Sequence, residues 1–335
     1  MTKVPEILVV GSFVMDMITS TKNFPSEGET VRGCGFSMAP GGKGANQAVQ
    51  AARLGARVTM VGKVGNDAFG RRLIAASSEA GINVKDVKLD ETAPSAVGNV
   101  IVEDRDNSAY NRIIVVPGAN MTICPKDVSF LRENIGIYDM VILQLEIPME
   151  INILVSGYAK EKGVPVMLNA APYDVLPREL LANITYISPN EHEAAALTGL
   201  PVERDGVVDL ELVKAAAARL LEMGAEHALI TLGDKGAAFS DKDGFILCPA
   251  KNGVTAVDPT AAGDSFVAAF CTAVCCGADY RRAVEFANDV AATTVSRLGA
   301  QPSLPTIKEV MAGWDEERQA KFHSLGFSSQ EVRTA

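Results

Sequence analysis

A chain of 335 residues with 47% hydrophobic and 21% charged side chains can bury a large core, as one big domain or as one domain with a subdomain. Thirty-one basic against 41 acidic side chains leave a formal charge of −10, which argues against a nucleic-acid surface, so any phosphate must be held by local donors. Six cysteines (Cys34, Cys124, Cys248, Cys271, Cys275 and Cys276) lack paired metal spacing and read as buried free thiols of a reducing compartment; with no apolar run of signal-peptide or membrane length, a cytoplasmic protein is expected.

In chain order, residues 7–10 read as a strand ending at Gly11 and Ser12, with Asp16 just beyond. Residues 24–40 alternate turn formers with short extended pieces, most clearly at Glu27-Gly28-Glu29-Thr30, and a β excursion is expected. Pro40-Gly41-Gly42-Lys43-Gly44-Ala45-Asn46 then opens a helix whose apolar face is Ala45, Ala48, Val49 and Ala52 and whose end is Leu54-Gly55. The Lys sits too early for a P-loop and no Ser or Thr follows it; taken alone, the glycines are equally explained by close packing of a helix on a sheet. A strand at 58–61, a helix at 70–80, and strands at 95–102 and 110–116 joined by a polar turn at 104–107 come next. That hairpin interrupts the strand-helix alternation and, paired with the excursion, forms a small sheet that is either a lid or an edge decoration.

The alternation resumes with a strand at 140–145 carrying Glu146 at its end, a helix at 151–162, and strands at 165–168 and 185–188. Pro189-Asn190-Glu191-His192-Glu193 starts the next helix, where capping is the simplest role for Asn190 and Glu193. A helix at 210–223 precedes a strand at 227–232, the turn Gly233-Asp234-Lys235-Gly236, and short strands around 241–244. This order argues for a parallel sheet covered on both faces, with a composite site at or past the strand ends where Asp16, the Gly41 loop, Glu146, Asn190, Gly233 and Asp264 are placed.

The densest stretch runs from Val257 to Phe270. Residues 254–257 read as the end of a β-branched strand and 265–276 as an apolar helix capped by Gly277. Small residues at 261–263 then admit a ligand close to the backbone, and the free N–H groups of a first helical turn attract an anion such as phosphate. Asp264 beside such a site either caps the helix or takes the proton of a hydroxyl attacking the phosphate.

Together, Gly41-Gly42-Lys43-Gly44-Ala45-Asn46, the Pro-Asn-Glu-x-Glu segment at 189–193, Thr231-Leu232-Gly233-x-x-Gly236 and Asp258-Pro259-Thr260-Ala261-Ala262-Gly263-Asp264 resemble the ribokinase-like (pfkB) carbohydrate kinases from about residue 7 to 305. The resemblance implies an α/β, three-layer ribokinase-like fold, with a mostly parallel central sheet flanked by helices and a small β-sheet lid. The kinase domain would span 1–310, with the lid drawn from about 17–40 and 95–117, and 311–335 would form a C-terminal helix and tail. It further implies transfer of the γ-phosphate of ATP to the 5-hydroxyl of a pentose, D-ribose in first place. A 2-deoxyribose kinase or a nucleoside kinase of the same fold are the alternatives, and a sugar-sensing binding protein is the reading outside enzymes.

By the same resemblance, Val14, Asp16, Gly42, Lys43, Asn46, Glu146 and Asp264 form the sugar site. The nucleotide site would be Asn190, Thr231, Leu232, Gly233, Asp234, Lys235, Gly236, Gly263 and Asn288, the last near the adenine, with Glu193 holding Mg²⁺ through water. Asp264 would be the general base, the amides of Ala262 and Gly263 the anion hole, and Lys43 a second source of charge stabilisation. Asp258, Thr260, Thr294, Arg297, Gly299 and Ser303 match a K⁺ site of oxygen ligands. The implied partners are a small-molecule sugar, ATP, and a second copy in a homodimer through the lid, with neither nucleic acid nor membrane. Two positions depart from the family pattern. Pro259 stands where Thr is usual, removing a hydroxyl and an N–H beside the cation loop, and Val14 stands where many members carry Asn. The stretch after Pro305, with Trp314 and the charged run at 315–318, exceeds the resemblance and reads as a docking helix with a tail.

Overall fold

The computed structural model of the chain describes residues 4–105 and 108–324. Its strands are β1 (Glu6–Val10), β2 (Val14–Thr21), β3 (Gly33–Gly41), β4 (Arg57–Gly65), β5 (Val87–Asp90), β6 (Val97–Arg105), β7 (Ser108–Val116), β8 (Met140–Gln144), β9 (Val166–Asn169), β10 (Tyr186–Ser188), β11 (Glu203–Arg204), β12 (Val207–Val208), β13 (His227–Thr231), β14 (Ala237–Asp241) and β15 (Gly244–Cys248). The helices are α1 (Lys43–Arg53), α2 (Ala68–Glu79), α3 (Pro125–Val128), α4 (Leu131–Asn134), α5 (Met149–Glu161), α6 (Arg178–Leu181), α7 (Glu191–Thr198), α8 (Leu210–Glu222), α9 (Ala262–Cys275), α10 (Tyr280–Val295), α11 (Ile307–Met311) and α12 (Glu316–Ser324).

Unbroken apolar runs dictate the main sheet. Ile7 and Val9 of β1, with Met140 and Ile142 of β8, pack under α1, α9 and α10, while Leu8, Val10, Val141 and Leu143 pack under α5 and α8 on the other face. A strand buried on both sides needs helices on both sides, so three layers follow. The nine strands run β15-β14-β13-β10-β9-β8-β1-β4-β5. Pairing from β13 to β5 is parallel, and only β14 and β15 at one edge are antiparallel. Parallel order puts the C-terminal ends of the strands from β13 to β5 on one rim, which is where the loops of interest gather.

A second sheet of four strands, β3-β2-β6-β7, stands apart from this body. Its centre is a parallel β2–β6 pair, flanked by antiparallel β3 and β7. The excursion expected over 24–40 is only part of it, because β2 already begins at Val14. That strand hides from pattern reading because residues 16–20 are all half-buried, so no apolar alternation marks it.

The strand expected over 254–257 does not form. The N–H groups of Val257 and Asp258 both donate to the carbonyl of Val295 at the end of α10 (2.7 and 3.1 Å), so β-branched propensity yields to a tertiary contact. Helix α10, which the sequence reading leaves unassigned, is the platform for the chain's end. Trp314 and Phe322 pack on Phe286, and the Trp314 indole N–H donates to Asp289 (2.6 Å), which also pairs with Arg318 (2.8 Å). The expected tail from 325 to 335 and the centre of the expected 104–107 turn (106–107) lie outside the described residues. Among the described residues no helix is long and apolar enough to cross a membrane.

Candidate active site

The first turn of α1 lies against the chain between β1 and β2, and glycines are what allow it. A Cβ on Gly42, whose φ is +92°, would come within 2.7 Å of Val14 N, and one on Gly44 within 2.5 Å of Ser12 N. Glu146, just past β8, fastens this junction, accepting from Lys43 N (3.0 Å) and from the Ser12 hydroxyl. The Lys43 side chain sits among acids. Burial pulls its pKa down, but Asp264, Glu146 and Glu193 outweigh burial and leave the ammonium favoured.

Asp16 is not past a strand end, as expected, but inside β2. Its carboxylate fits between two glycines of the neighbouring strands, since a Cβ on Gly41 or on Gly98 would lie 2.4 Å from a carboxylate oxygen. Burial, and secondarily Glu146, raises its pKa to about 6. Val14 lies two residues earlier, on the same side of the strand and 5% exposed, with its methyl 3.5 Å from where a Gly98 Cβ would be.

Asp264 falls in the first turn of α9, after Ala261 with φ +61° at the N-cap. It does not cap its helix. One carboxylate oxygen accepts from Asn46 Nδ2 (2.9 Å) and the other from Gln47 Nε2 (3.0 Å), with Asp264 only 6% exposed. Asn46 Oδ1 is buried with no hydrogen-bond partner among the described residues, an acceptor suited to a ligand hydroxyl. Of the expected anion-hole amides, Ala262 N–H is turned onto the carbonyl of Pro259 (3.1 Å). Lys43, Asn190, Glu193, Thr231, Gly263 and Asp264 line one cleft of about 190 Å³.

Asn190 and Glu193 form a reciprocal capping box on α7. Glu193 N donates to Asn190 Oδ1 and Asn190 N to Glu193 Oε2, both at 2.8 Å. One Glu193 oxygen is thus committed; burial raises its pKa, a cost that a hydrated divalent cation beside it would relieve. In the turn after β13, Leu232 is buried with its N–H on Gly236 O (2.8 Å), Gly233 has φ +54°, and Asp234 and Lys235 pair with each other at the surface (2.9 Å). Asn288 donates its amide to the carbonyls of Cys248 and Pro249 (3.1 Å each), so it anchors the chain leaving β15.

Asp258 staples two loops, one oxygen accepting from Thr260 N (2.9 Å) and the other from Gly299 N (2.8 Å). Around it, the Thr294 carbonyl accepts from Arg297 N (3.1 Å), the Arg297 side chain pairs with Glu309 (2.8 Å), and the Ser303 hydroxyl donates to Ala300 O (2.7 Å). Among the described residues no group of three or more His, Cys, Asp or Glu could hold a metal ion. The oxygens of this loop, mostly carbonyl and hydroxyl beside the Asp258 carboxylate, are a donor set that would fit K⁺.

Sequence reasoning missed the side chains that brace these groups: Ser12, Gln47, Asn120, Gln144 and Asn169. Asn120 exchanges two hydrogen bonds with the Phe13 backbone (3.0 and 2.8 Å) and so holds the entry to β2. A signal existed for two of them, because Gln144 and Asn169 are polar residues closing apolar strands.

The model of the pfkB family carbohydrate kinases matches residues 4–307. The chain is 39% identical over 311 residues to a ribokinase of Schizosaccharomyces pombe, covering 91% of this chain and 96% of that protein. It is 34% identical over 305 residues to a deoxyribokinase of Salmonella typhi, covering 91% and 97%. Its fold superposes on Arabidopsis thaliana ribokinase, solved with ribose and ATP, with a TM-score of 0.84 and 33% identity over 93% of this chain and all of that one.

Proposed function

The chain belongs to the pfkB family of carbohydrate kinases, and from that premise we propose that it transfers the γ-phosphate of ATP to the 5-hydroxyl of D-ribose, giving ribose 5-phosphate and ADP. One observation carries the reading: a buried Asp264 carboxylate faces a cleft shared with Lys43 and Glu193, oriented by two amides of α1. Asp16, Glu146, the Gly42 turn and the free Oδ1 of Asn46 hold the sugar, since carboxylates and amides bind vicinal hydroxyls with directed hydrogen bonds. The 5-hydroxyl oxygen bonds to the γ-phosphorus, its proton passes to Asp264, and the bond to the bridging oxygen breaks to release ADP. First-turn N–H groups at Gly263 and the ammonium of Lys43 meet the charge on the transferring group, and Ala262 joins them if its N–H turns away from Pro259. The family implies Mg²⁺, for which Glu193 is the nearby acid; when bound, it neutralises phosphate charge.

Asn190, Asn288 and the 231–236 turn form the nucleotide side. The loop of Asp258, Thr260, Thr294, Arg297, Gly299 and Ser303 would hold K⁺, which would steady the start of α9, so turnover should rise when K⁺ replaces a bulky organic cation; equal rates would remove the ion from the reading, with Pro259 the first suspect. The four-stranded sheet acts as a lid and joins two copies, a reading supported by exposed Phe36, Ile113, Ile114 and Val115. The protein works in the cytoplasm, where six free thiols persist, although only Cys248 and Cys271 are buried as expected and Cys34 is exposed on a strand of the small sheet. The second reading is a 2-deoxyribose kinase, favoured by the apolar Val14 beside Asp16. The test is ADP release over a panel of pentoses, hexoses and nucleosides. Ribose is expected to give the highest kcat/KM, and a better substrate elsewhere on the panel would displace it.

A further inference from the structure

We propose that Gln47 is a positioning residue for the base: an amide relay from Gln144 through Gln47, rooted on the C-terminal rim of the central sheet, fixes the carboxylate of Asp264 for the incoming hydroxyl. The inference rests on Asp264 being the general base.

Gln47 is 0% exposed and every polar atom of its side chain is engaged. Nε2 donates to Asp264 Oδ1 (3.0 Å) and to Asn169 Oδ1 (3.1 Å), and Oε1 accepts from Gln144 Nε2 (2.6 Å). Asn169 in turn donates to the carbonyl of Ser188 (2.9 Å). Gln144, Asn169 and Ser188 are the last residues of β8, β9 and β10 and stand opposite one another in register. The relay is thus anchored on three adjacent parallel strands with no exposed backbone to fray.

The chemistry fixes its direction. A backbone carbonyl only accepts, so Asn169 must turn its NH₂ to Ser188 and its oxygen to Gln47. Gln47 must then turn its NH₂ toward Asn169, which aims it at Asp264 as well, and its oxygen toward the NH₂ of Gln144. No member can flip without setting two acceptors against each other.

The arrangement is kept at a cost to the core. Gln144 Oε1 is buried with no partner among the described residues, in space left by Gly11, whose Cβ would lie 1.9 Å from it. Apolar side chains there would avoid that unpaired acceptor. Asp264 needs an external brace, because its helix starts from the irregular 249–261 segment and a left-handed Ala261. Asn46 holds the other oxygen, but its own Oδ1 is buried without a partner among the described residues, and as a proposed sugar contact its surroundings would change when sugar arrives. Gln47 has no such second duty, which makes it the fixed partner and Asn46 the responsive one.

The test is steady-state ADP release with the full chain. Gln47→Met, close in length but without an amide, is expected to lower kcat about tenfold while KM for sugar and for ATP stays within about twofold. Gln144→Met, which cuts only the far link, is expected to act in the same direction by about threefold, and it carries the test if Gln47→Met fails to fold. In an Asp264→Asn background, Gln47→Met is expected to cost less than about twofold more, because the relay then has no base to aim. The relay is overturned by a kcat within about twofold of wild type in both Met variants, by a loss confined to KM, or by an undiminished loss in the Asp264→Asn background. Full activity of Asp264→Asn alone would overturn the base assignment and the relay with it.

Discussion

The two sides of the cleft are built by opposite means. On the side proposed for the sugar the braces join residues far apart in the chain: Asn46 and Gln47 reach Asp264 across 218 and 217 positions, and Ser12 and Lys43 reach Glu146 across 134 and 103. On the side proposed for the nucleotide and its cation the spans are shorter: Asn190 and Glu193 lie three positions apart and Asp258 and Thr260 two, while Asn288 reaches Cys248 across 40 and Asp258 reaches Gly299 across 41. Local contacts close small loops and need little from the rest of the fold, whereas contacts across two hundred residues exist only once the sheet and both helices are in place. The side proposed for the nucleotide is therefore built largely from turns and shorter closures, and the side proposed for the sugar is a product of the tertiary structure.

The sharpest way to break this comparison is at Asp264, where the two sides meet. Asp264→Asn should lower kcat by about 10² or more, the range general-base assistance supplies, with ATP binding nearly intact. A variant within severalfold of wild-type kcat would remove the base from the scheme. The next effect is confined to the sugar side. Because Asp16 titrates at about 6 in the fold, its carboxylate becomes a neutral acid at lower pH, and kcat/KM for ribose should fall by about tenfold per pH unit below that point. A raised carboxyl pKa carries a stability sign as well: the protonated group is tolerated below the unfolded value, and stability is lost as pH rises through about 6. Asp16→Asn should therefore melt higher than wild type at pH 7 in the absence of sugar, lose that advantage near pH 3.8, and flatten the acid limb. An unaltered limb would reassign the titration.

Val14→Asn sharpens the same side. Adding an amide beside Asp16 should widen the preference for ribose over 2-deoxyribose by about tenfold, the equivalent of one net hydrogen bond. The measurement is kcat/KM for both sugars in both proteins, and an unmoved ratio would mean that Val14 does not face the sugar's 2-position. The smallest effect belongs to the nucleotide side. Asn190→Ala removes one half of the α7 capping box and should cost about 1 kcal/mol in urea unfolding, raising KM for ATP while leaving KM for the sugar alone. If KM for the sugar moved as much, the two sides would be one cooperative unit and the contrast drawn above would fail.

The same contrast explains what could be read from the chain alone. Apolar runs such as residues 7–10 and 140–143, with period-3.6 faces such as Ala45, Ala48, Val49 and Ala52, marked the layered α/β fold because strand and helix burial leave a repeat in the sequence. Glycine turns and capping residues at 41–46, 190–193, 233–236 and 261–264 marked the rim, since each is a local conformational demand. The strand β2 left no such mark, because its sheet is half-exposed, and the expected strand at 254–257 vanished because its N–H groups met the end of α10.

What the sequence determined by itself was therefore the class of fold, the order of most of its elements, without β2 and α10, and the loops that carry small residues, polar caps and one acid. Only the tertiary structure decided that Asp264 turns from its own helix toward α1, that Asp16 lies in a strand between two glycines, and that Gln47, Asn169 and Gln144 stand behind the Asp264 carboxylate. The physical reason is that propensity, capping and turn chemistry act within a few residues, while a hydrogen bond between side chains 217 positions apart leaves no period, spacing or composition for a reader of the chain to find.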